Sequence, residues 1–185
     1  MNKTAKKQPI VNNREQNIIH RTMAEEGGYA DNPGLIDQPT NYGITQPILD
    51  KYNADHPNFN FPNNVKDITY DQAKQIYKED FLEKRRIDEI KNPRISHAVF
   101  DMGVMSNFNN VGKIVQETLN NSIGTNLKID GKIGDKTINA LNTIPDNKID
   151  NFMQNYQIYS KILSKYHNIC KNNVCFLLKN YKKSS

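Results

Sequence analysis

Apolar positions recur at helical spacing in several separate stretches of this chain. Ile18, Ile19, Thr22 and Met23 form the first stripe, preceded by Asn12 and Asn13 as candidate N-caps. Glu15 or Gln16 follows at the capping-box distance, and Gly27-Gly28 supplies a left-handed stop, so a helix is expected over 12–26. Residues 29–44 lose the period and read as loop, irregular or folded into a short hairpin. Thr45 is placed to cap a short helix near 46–54, with Pro47 tolerated in its first turn. Pro57 and Pro62 mark residues 55–68 as loop.

The second half is also helical. Thr69 and Gln72 have capping-box spacing, and Ala73, Ile76, Tyr77 and Phe81 share one face of a helix running to about 84. Asn92-Pro93 opens another helix striped by Ile95, Ala98, Val99, Met102 and Met105. Helices are expected near 110–121 and 135–143, flanking an Asp130-Gly131 turn read as the cap of the later one. Pro145 precedes a long helix carrying Ile149, Phe152, Met153, Tyr156, Tyr159, Leu163 and Tyr166. The class is all-α, or mainly helical α+β if the segment after the first helix pairs as strands.

Composition narrows the partners. The chain has 185 residues, enough for one sizeable core, and a formal charge of +5. Mean hydropathy is −0.78, polar but globular. A basic surface is attracted to anionic wall, nucleic acid or headgroups. Few aromatics interleave with the basic residues, so nucleic acid is not the expected partner. No run approaches the length of a membrane span, and no apolar segment follows Lys3, Lys6, Lys7 and Arg14, so no signal peptide is read. Cys170 and Cys175, with His20, His56, His97 and His167 scattered, make a poor zinc pattern. No metal is expected. The cysteines read as reduced thiols, or as a short-loop disulfide in an oxidising compartment.

The candidate chemistry sits at the end of the first helix. Glu26 falls at i+7 from Ile19 and i+4 from Thr22, on the apolar face, whereas Glu25 is turned about 100° away. Glu26 is thus expected to point inward at a helix C-terminus. Partial burial and the negative end of the helix dipole would both raise its pKa, as a general acid requires. The plain alternative is a solvated last-turn residue.

Glu26-Gly27-Gly28-Tyr29, followed by Pro39-Thr40-Asn41-Tyr42-Gly43-Ile44-Thr45, resembles the signature of glycoside hydrolase family 108. These are lysozyme-like N-acetylmuramidases of phage endolysins and of bacterial protein export. Downstream, Asp130-Gly131-Lys132-Ile133-Gly134-Asp135-Lys136-Thr137 resembles the DGxxGxxT element of the peptidoglycan-binding region that follows the catalytic module. The resemblance spans roughly residues 12–181. It implies a lysozyme-like fold, with Glu26 as catalytic acid, and needs no cofactor. It also implies a tail at 1–11, a catalytic module over 12–91, a helical peptidoglycan-binding region over 92–181 packed on it, and a tail at 182–185. Three positions depart from the pattern. Leu35, Asp37 and Gln38 stand where the Asp and two glycines of a D-x-G-G-x-T element belong. In Phe100-Asp101-Met102-Gly103-Val104-Met105-Ser106-Asn107 the family's later Asn and Gly are replaced. A C-terminal Gly-Trp is missing, with Asn180-Tyr181 near its place.

Other residues are candidates for the site. Tyr29 and Tyr42 offer faces for sugar stacking, or are interfacial core. Thr40 and Asn41 are placed to position a water or a sugar substituent, or are turn residues. Asp37 is the only acid in the Pro33–Gly43 segment and is expected to hold Thr40 or a water. Asp101 is the distal carboxylate, or a structural partner. The expected reaction is hydrolysis of the β-1,4 bond between N-acetylmuramic acid and N-acetylglucosamine in peptidoglycan. The alternatives are a lytic transglycosylase and an inactive peptidoglycan-binding protein. The expected protein is a monomer without membrane insertion. It would be made in the cytoplasm and would act in the periplasm or cell wall after release by a holin or another export route.

Overall fold

A computed structural model describes residues 13–31 and 38–171. The fold is mainly helical and lysozyme-like, with one short antiparallel hairpin among the described residues. The elements are α1 (Asn13–Glu26), β1 (Thr40–Asn41), β2 (Ile44–Thr45), α2 (Gln46–Asp55), α3 (Tyr70–Ile76), α4 (Pro93–Met105), α5 (Phe108–Ile123), α6 (Asp135–Asn142) and α7 (Asp146–Lys171). The chain falls into two compact units. One holds the described residues up to Glu89 together with Ser96–Asp101 of α4, and the other holds Ile90–Ile95 and the residues from Met102 onward.

In the first unit α1 packs on α3 and its continuation, and β1 packs on a 3₁₀ turn at Val65–Asp67. Ile18, Ile19 and Met23 are buried, as the sequence stripe requires. So are Ile44, Leu49, Tyr52, Ala73, Ile76, Tyr77 and Phe100. The capping box at the start of α3 is formed, with Gln72 N donating to Thr69 Oγ1 at 3.3 Å and Thr69 N donating to Gln72 Oε1 at 2.9 Å. Thr45 sits at the N-cap of α2 but makes no side-chain cap bond. Its backbone is already committed to the strand pairing.

Periodicity predicts one regular helix from 70 to about 84. The structure instead widens α3 into a π-helical segment at Tyr77–Glu83. The bonds Lys84 N to Glu79 O (3.0 Å) and Ile87 N to Leu82 O (2.9 Å) have the i−5 reach of that geometry. Tertiary contacts hold the segment. Tyr52 donates to Glu79 Oε2 at 2.6 Å, and Lys84 donates to Asp80 Oδ1 at 3.0 Å. Burial first, and the Glu79 bond second, push the Tyr52 hydroxyl well above its ordinary pKa, so it stays a donor.

In the second unit α5 packs against α7 and α6. Val111, Ile114, Val115 and Leu119 meet a core that includes Ile138, Leu141, Ile149, Phe152 and Tyr156. Gln116 is buried in α5 and holds the Asp130-Gly131 turn. Its Nε2 donates to Asp130 Oδ1 at 2.9 Å and to Lys132 O at 3.0 Å, and its Oε1 accepts from Gly131 N at 2.8 Å. The Gln116 bond is also the chief reason the Asp130 carboxyl lies below its ordinary pKa. This corrects the expectation that Asp130-Gly131 caps the next helix. The N-cap of α6 is Gly134, without a side-chain bond, and the Asp-Gly turn is fastened to α5. Met105, expected on the apolar stripe of α4, is 79% exposed because the stripe ends a turn earlier.

The closeness of α5 to that turn gives a stability test. A Cβ on Gly112 would overlap the Gly131 carbonyl, and backbone cannot step aside cheaply. Gly112→Ala should therefore lose about 1–3 kcal/mol in urea denaturation despite Ala's better helix propensity. Unchanged or increased stability would contradict the packing described.

Candidate active site

Glu26 is the last residue of α1. Gly27 follows with φ +76°, and its N–H donates to Met23 O at 3.2 Å. This is a single-bond left-handed C-cap, the stop that Gly-Gly was expected to supply. Glu26 is exposed rather than partly buried. The last buried residue of the apolar stripe is Met23, and the helix runs three residues beyond it, so the carboxylate emerges at the rim. The expected partial burial is thus corrected. The negative helix end remains, since four terminal carbonyls point toward it.

The Thr40–Thr45 segment is a hairpin. Thr40 pairs with Thr45 and Asn41 with Ile44, leaving Tyr42-Gly43 as a two-residue loop. Their φ values are +52° and +77°, the signs a type I′ turn requires at both positions. Thr40 also bridges backward, exchanging backbone bonds with Ala30 at 2.8 and 2.9 Å. The chain leaving Glu26 is thereby tied to the hairpin.

Gly43 is where these elements converge. A Cβ there would lie 2.8 Å from Glu26 Cγ and against the hydroxyl of Tyr77. Tyr77 is fully buried and donates to the Tyr42 carbonyl at 3.0 Å. Burial first, and the Glu26 charge second, raise the Tyr77 pKa well above its ordinary value. The carboxylate, the turn and the phenol therefore form one contact set. Tyr77 is the residue sequence reasoning missed. It was read only as part of an apolar stripe, and its hydroxyl had no signal in the local pattern.

The remaining candidates separate. Asn41 is only 5% exposed, and its amide is directed into backbone, donating to Val65 O, Lys66 O and Ile68 O at 3.2, 3.1 and 3.3 Å. It staples the 3₁₀ turn beneath the hairpin and does not present its amide to solvent. Tyr42 is half-buried, edge-on to Tyr70 at 5.7 Å, and Tyr70 Oη lies 2.6 Å from His20 Nδ1. Tyr29 is 43% exposed and donates to Asp31 Oδ2 at 3.2 Å, with Lys66 Nζ 5.8 Å from its ring centre. Thr40 is half-buried at the base of the hairpin. Asp37 lies outside the described residues, as do Cys175 and Asn180-Tyr181.

Asp101 reaches α1 from α4. Its Oδ1 accepts from the hydroxyl of buried Thr22 at 2.9 Å, and its Oδ2 lies 3.2 Å from His97 Nε2. The His97 approach is off the line a hydrogen bond needs, so it acts as an ion pair when the ring is protonated. Thr22 precedes Glu26 by one helical turn, about 6 Å along the axis. Asp101 is thus fastened to the same face of α1 that carries Glu26. Among the described residues no group of three His, Cys, Asp or Glu side chains is placed to hold a metal. No helix among them is long and apolar enough to cross a membrane.

Residues 19–106 match the family model of Glycosyl hydrolase 108, a span that contains Glu26, the hairpin, Tyr77 and Asp101. Among solved structures, the chain is similar to Brucella abortus SagA, with a TM-score of 0.64 and 24% identity over 88% of each chain. That likeness is one of fold. No curated protein matches the chain.

The Asn41 staple can be tested without assuming any activity. Asn41→Ala removes the donor to three backbone carbonyls in a buried setting. It should cost about 1–3 kcal/mol and speed amide exchange at Val65–Ile68. Slow exchange there in a destabilised variant would place the loss elsewhere.

Proposed function

We propose that this chain is a peptidoglycan hydrolase of glycosyl hydrolase family 108. In this reading it cleaves the β-1,4 bond between N-acetylmuramic acid and N-acetylglucosamine, with Glu26 as its general acid. The observation that carries the reading is the placement of Glu26. It stands at a helix C-terminus, open to solvent, against the Tyr42-Gly43 turn, within the span matching the family.

The chemistry asks little beyond that carboxyl. Glu26 gives its proton to the leaving glycosidic oxygen as the C1–O bond breaks. The oxocarbenium-like centre is taken up by water or by the substrate's own acetamido oxygen. A free-enzyme carboxyl must be reachable, which fits its exposure. A bound glycan would strip water from it and favour its neutral, proton-donating form. Tyr29, exposed beyond the same helix end, offers a ring face to a sugar, and Thr40 and Tyr42 border the turn. Asn41 serves the site by holding the hairpin base. The formal charge of +5 suits an anionic wall.

Glu26→Gln should abolish turnover while leaving fold and wall pelleting nearly intact, because general acid catalysis typically contributes about 10²–10⁴-fold. Glu25→Gln should do little. Mass analysis of a digest of purified peptidoglycan reads the reaction directly. New N-acetylmuramic acid reducing ends are expected. 1,6-Anhydro ends would make the protein a lytic transglycosylase, and absent products with retained pelleting would make it a binding protein.

The two acids after Glu26 should divide by role. Asp37→Asn should cut turnover at least about tenfold, or about 1.4 kcal/mol of transition-state stabilisation, with little change in thermal midpoint. Asp101→Asn should lower the midpoint, since it weakens the acceptor for buried Thr22. Wild-type turnover in Asp37→Asn would transfer the water-orienting role to Asp101.

A further inference from the structure

We propose that the aromatic ledge ending in Phe59, on the loop after α2, is a second glycan-binding site that stacks on the apolar face of an uncharged N-acetylated sugar. No residue of the ledge belongs to the contact set around Glu26. The proposal takes from the reading above only that the natural ligand is a wall glycan.

The ledge is a bank of four rings. His56 and Phe59 stack with planes 3° apart and centres 5.2 Å apart. Phe61 lies 6.2 Å from Phe59 at 28°. Tyr52 lies 4.4 Å from His56 and 5.1 Å from Phe61, at 33° and 36°. Tyr52 is fully buried, whereas Phe59 is 43% exposed. The bank therefore runs from core to surface, and its outermost ring is the open one. A lone exposed phenylalanine needs no explanation. One held by a stack of neighbours is a flat apolar face set in place before a ligand arrives, which lowers the ordering cost of binding.

Hydrogen bonds fix the loop that carries it. His56 N donates to Tyr52 O at 2.9 Å, and Phe59 N donates to His56 O at 3.0 Å. Asn53 Nδ2 donates to Pro62 O at 3.0 Å, and Gln46 Nε2 donates to Asn63 O at 2.7 Å. Beneath them, the Tyr52 hydroxyl is anchored on Glu79. Gln46 Oε1 also accepts from Val65 N at 2.8 Å, in the 3₁₀ turn that Asn41 staples. The ledge is thus fastened, through Gln46 and Val65, to the hairpin.

The chemistry of the loop selects the ligand. His56-Pro57-Asn58-Phe59-Asn60-Phe61-Pro62-Asn63-Asn64 contains no Asp, Glu, Lys or Arg. Asp55, at its edge, is paired with Lys51 and Lys84. In a chain of charge +5 this patch has no fixed cation to hold a phosphate or an anionic headgroup. Asn58 and Asn60 flank the open ring and are exposed. Each amide brings an acceptor and two donors, which match sugar hydroxyls and the acetamido group. A pyranose presents a face of C–H groups to a flat ring and polar groups around its edge. Ring and amides together fit that pattern. An apolar partner helix would instead call for a hydrophobic groove.

Titration of full-length ¹⁵N-labelled protein with chitotetraose, an uncharged β-1,4 tetramer of N-acetylglucosamine, tests the ledge. The amide signals of Asn58, Phe59 and Asn60 should shift, in wild type and in Glu26→Gln alike. Phe59→Ala and Phe59→Leu should each weaken that response at least about fivefold, because Leu keeps apolar area but loses the flat face. Phe59→Tyr should retain it. Silent signals at 58–60 across the titration overturn the proposal, as does a Phe59→Leu response equal to wild type. Signals that move with protein concentration alone assign the ledge to contact between copies of this chain and overturn it too. Purified wall left undigested by wild type, with the response at 58–60 intact, would sink the hydrolase reading and leave the ledge standing as a glycan-binding site.

Discussion

Two consecutive left-handed residues, Tyr42 and Gly43, are the constraint on which the site depends. The I′ turn they form sets the register of the hairpin, Thr40 to Thr45 and Asn41 to Ile44. It also turns the Tyr42 carbonyl toward Tyr77 and brings the bare face of Gly43 against Glu26. A non-glycine residue in that region costs about 1–2 kcal/mol, so Tyr42 must be held there. The Tyr77 hydroxyl bond and the edge-on contact with Tyr70 supply the hold. Asn41 fixes the other side by closing three carbonyls of the 62–68 segment. The strain is local and lies beside the proposed acid, which is where stored conformational energy serves preorganisation.

The widened turn at Tyr77–Glu83 belongs to the same construction. An α-helix continuing from Ile76 would keep a period of 3.6 and carry Tyr77 and Phe81 on one face. The i−5 bonds add a residue to the turn and rotate the chain beyond it. Tyr77 stays buried against Phe81 and Phe100, while its oxygen reaches the hairpin. Glu79, on the other side, anchors Tyr52. One irregular stretch thus ties the hairpin and α2 to the helix that supports Glu26.

How legible each feature was in the sequence depends on how local its cause is. The stop after Glu26 could be read because Gly-Gly after an apolar stripe is a local signal. So could the capping box at Thr69 and Gln72, and the Asn92 cap, whose side chain accepts from Arg94 N and Ile95 N. The exposure of Glu26 was not legible. Helical phase gives direction but not where the core ends, and here the core ends at Met23, three residues before the helix does. The π-helical segment was hidden because its cause is tertiary, through Tyr52, Glu79 and Lys84. Asn41 looked like a site residue because the motif contains it. Its three acceptors come from residues 24 to 27 positions away, which no local pattern displays. The Asp130-Gly131 turn misled similarly, since its anchor is Gln116 on the preceding helix and not the helix after it.

The exposure of Glu26 also bears on the role proposed for it. A carboxyl buried in the free protein would cost stability through lost hydration. Glu26 instead stands in solvent at a helix end, where the negative side of the terminal carbonyls is partly screened by water. The wall beside it is dry, with Tyr77 fully buried and committed to the Tyr42 carbonyl. On the proposed reading, a glycan covering the helix end would lower that screening, and the helix end would then weigh more heavily toward the neutral carboxyl. The fold thus sets a solvated carboxyl beside a dry, rigid wall.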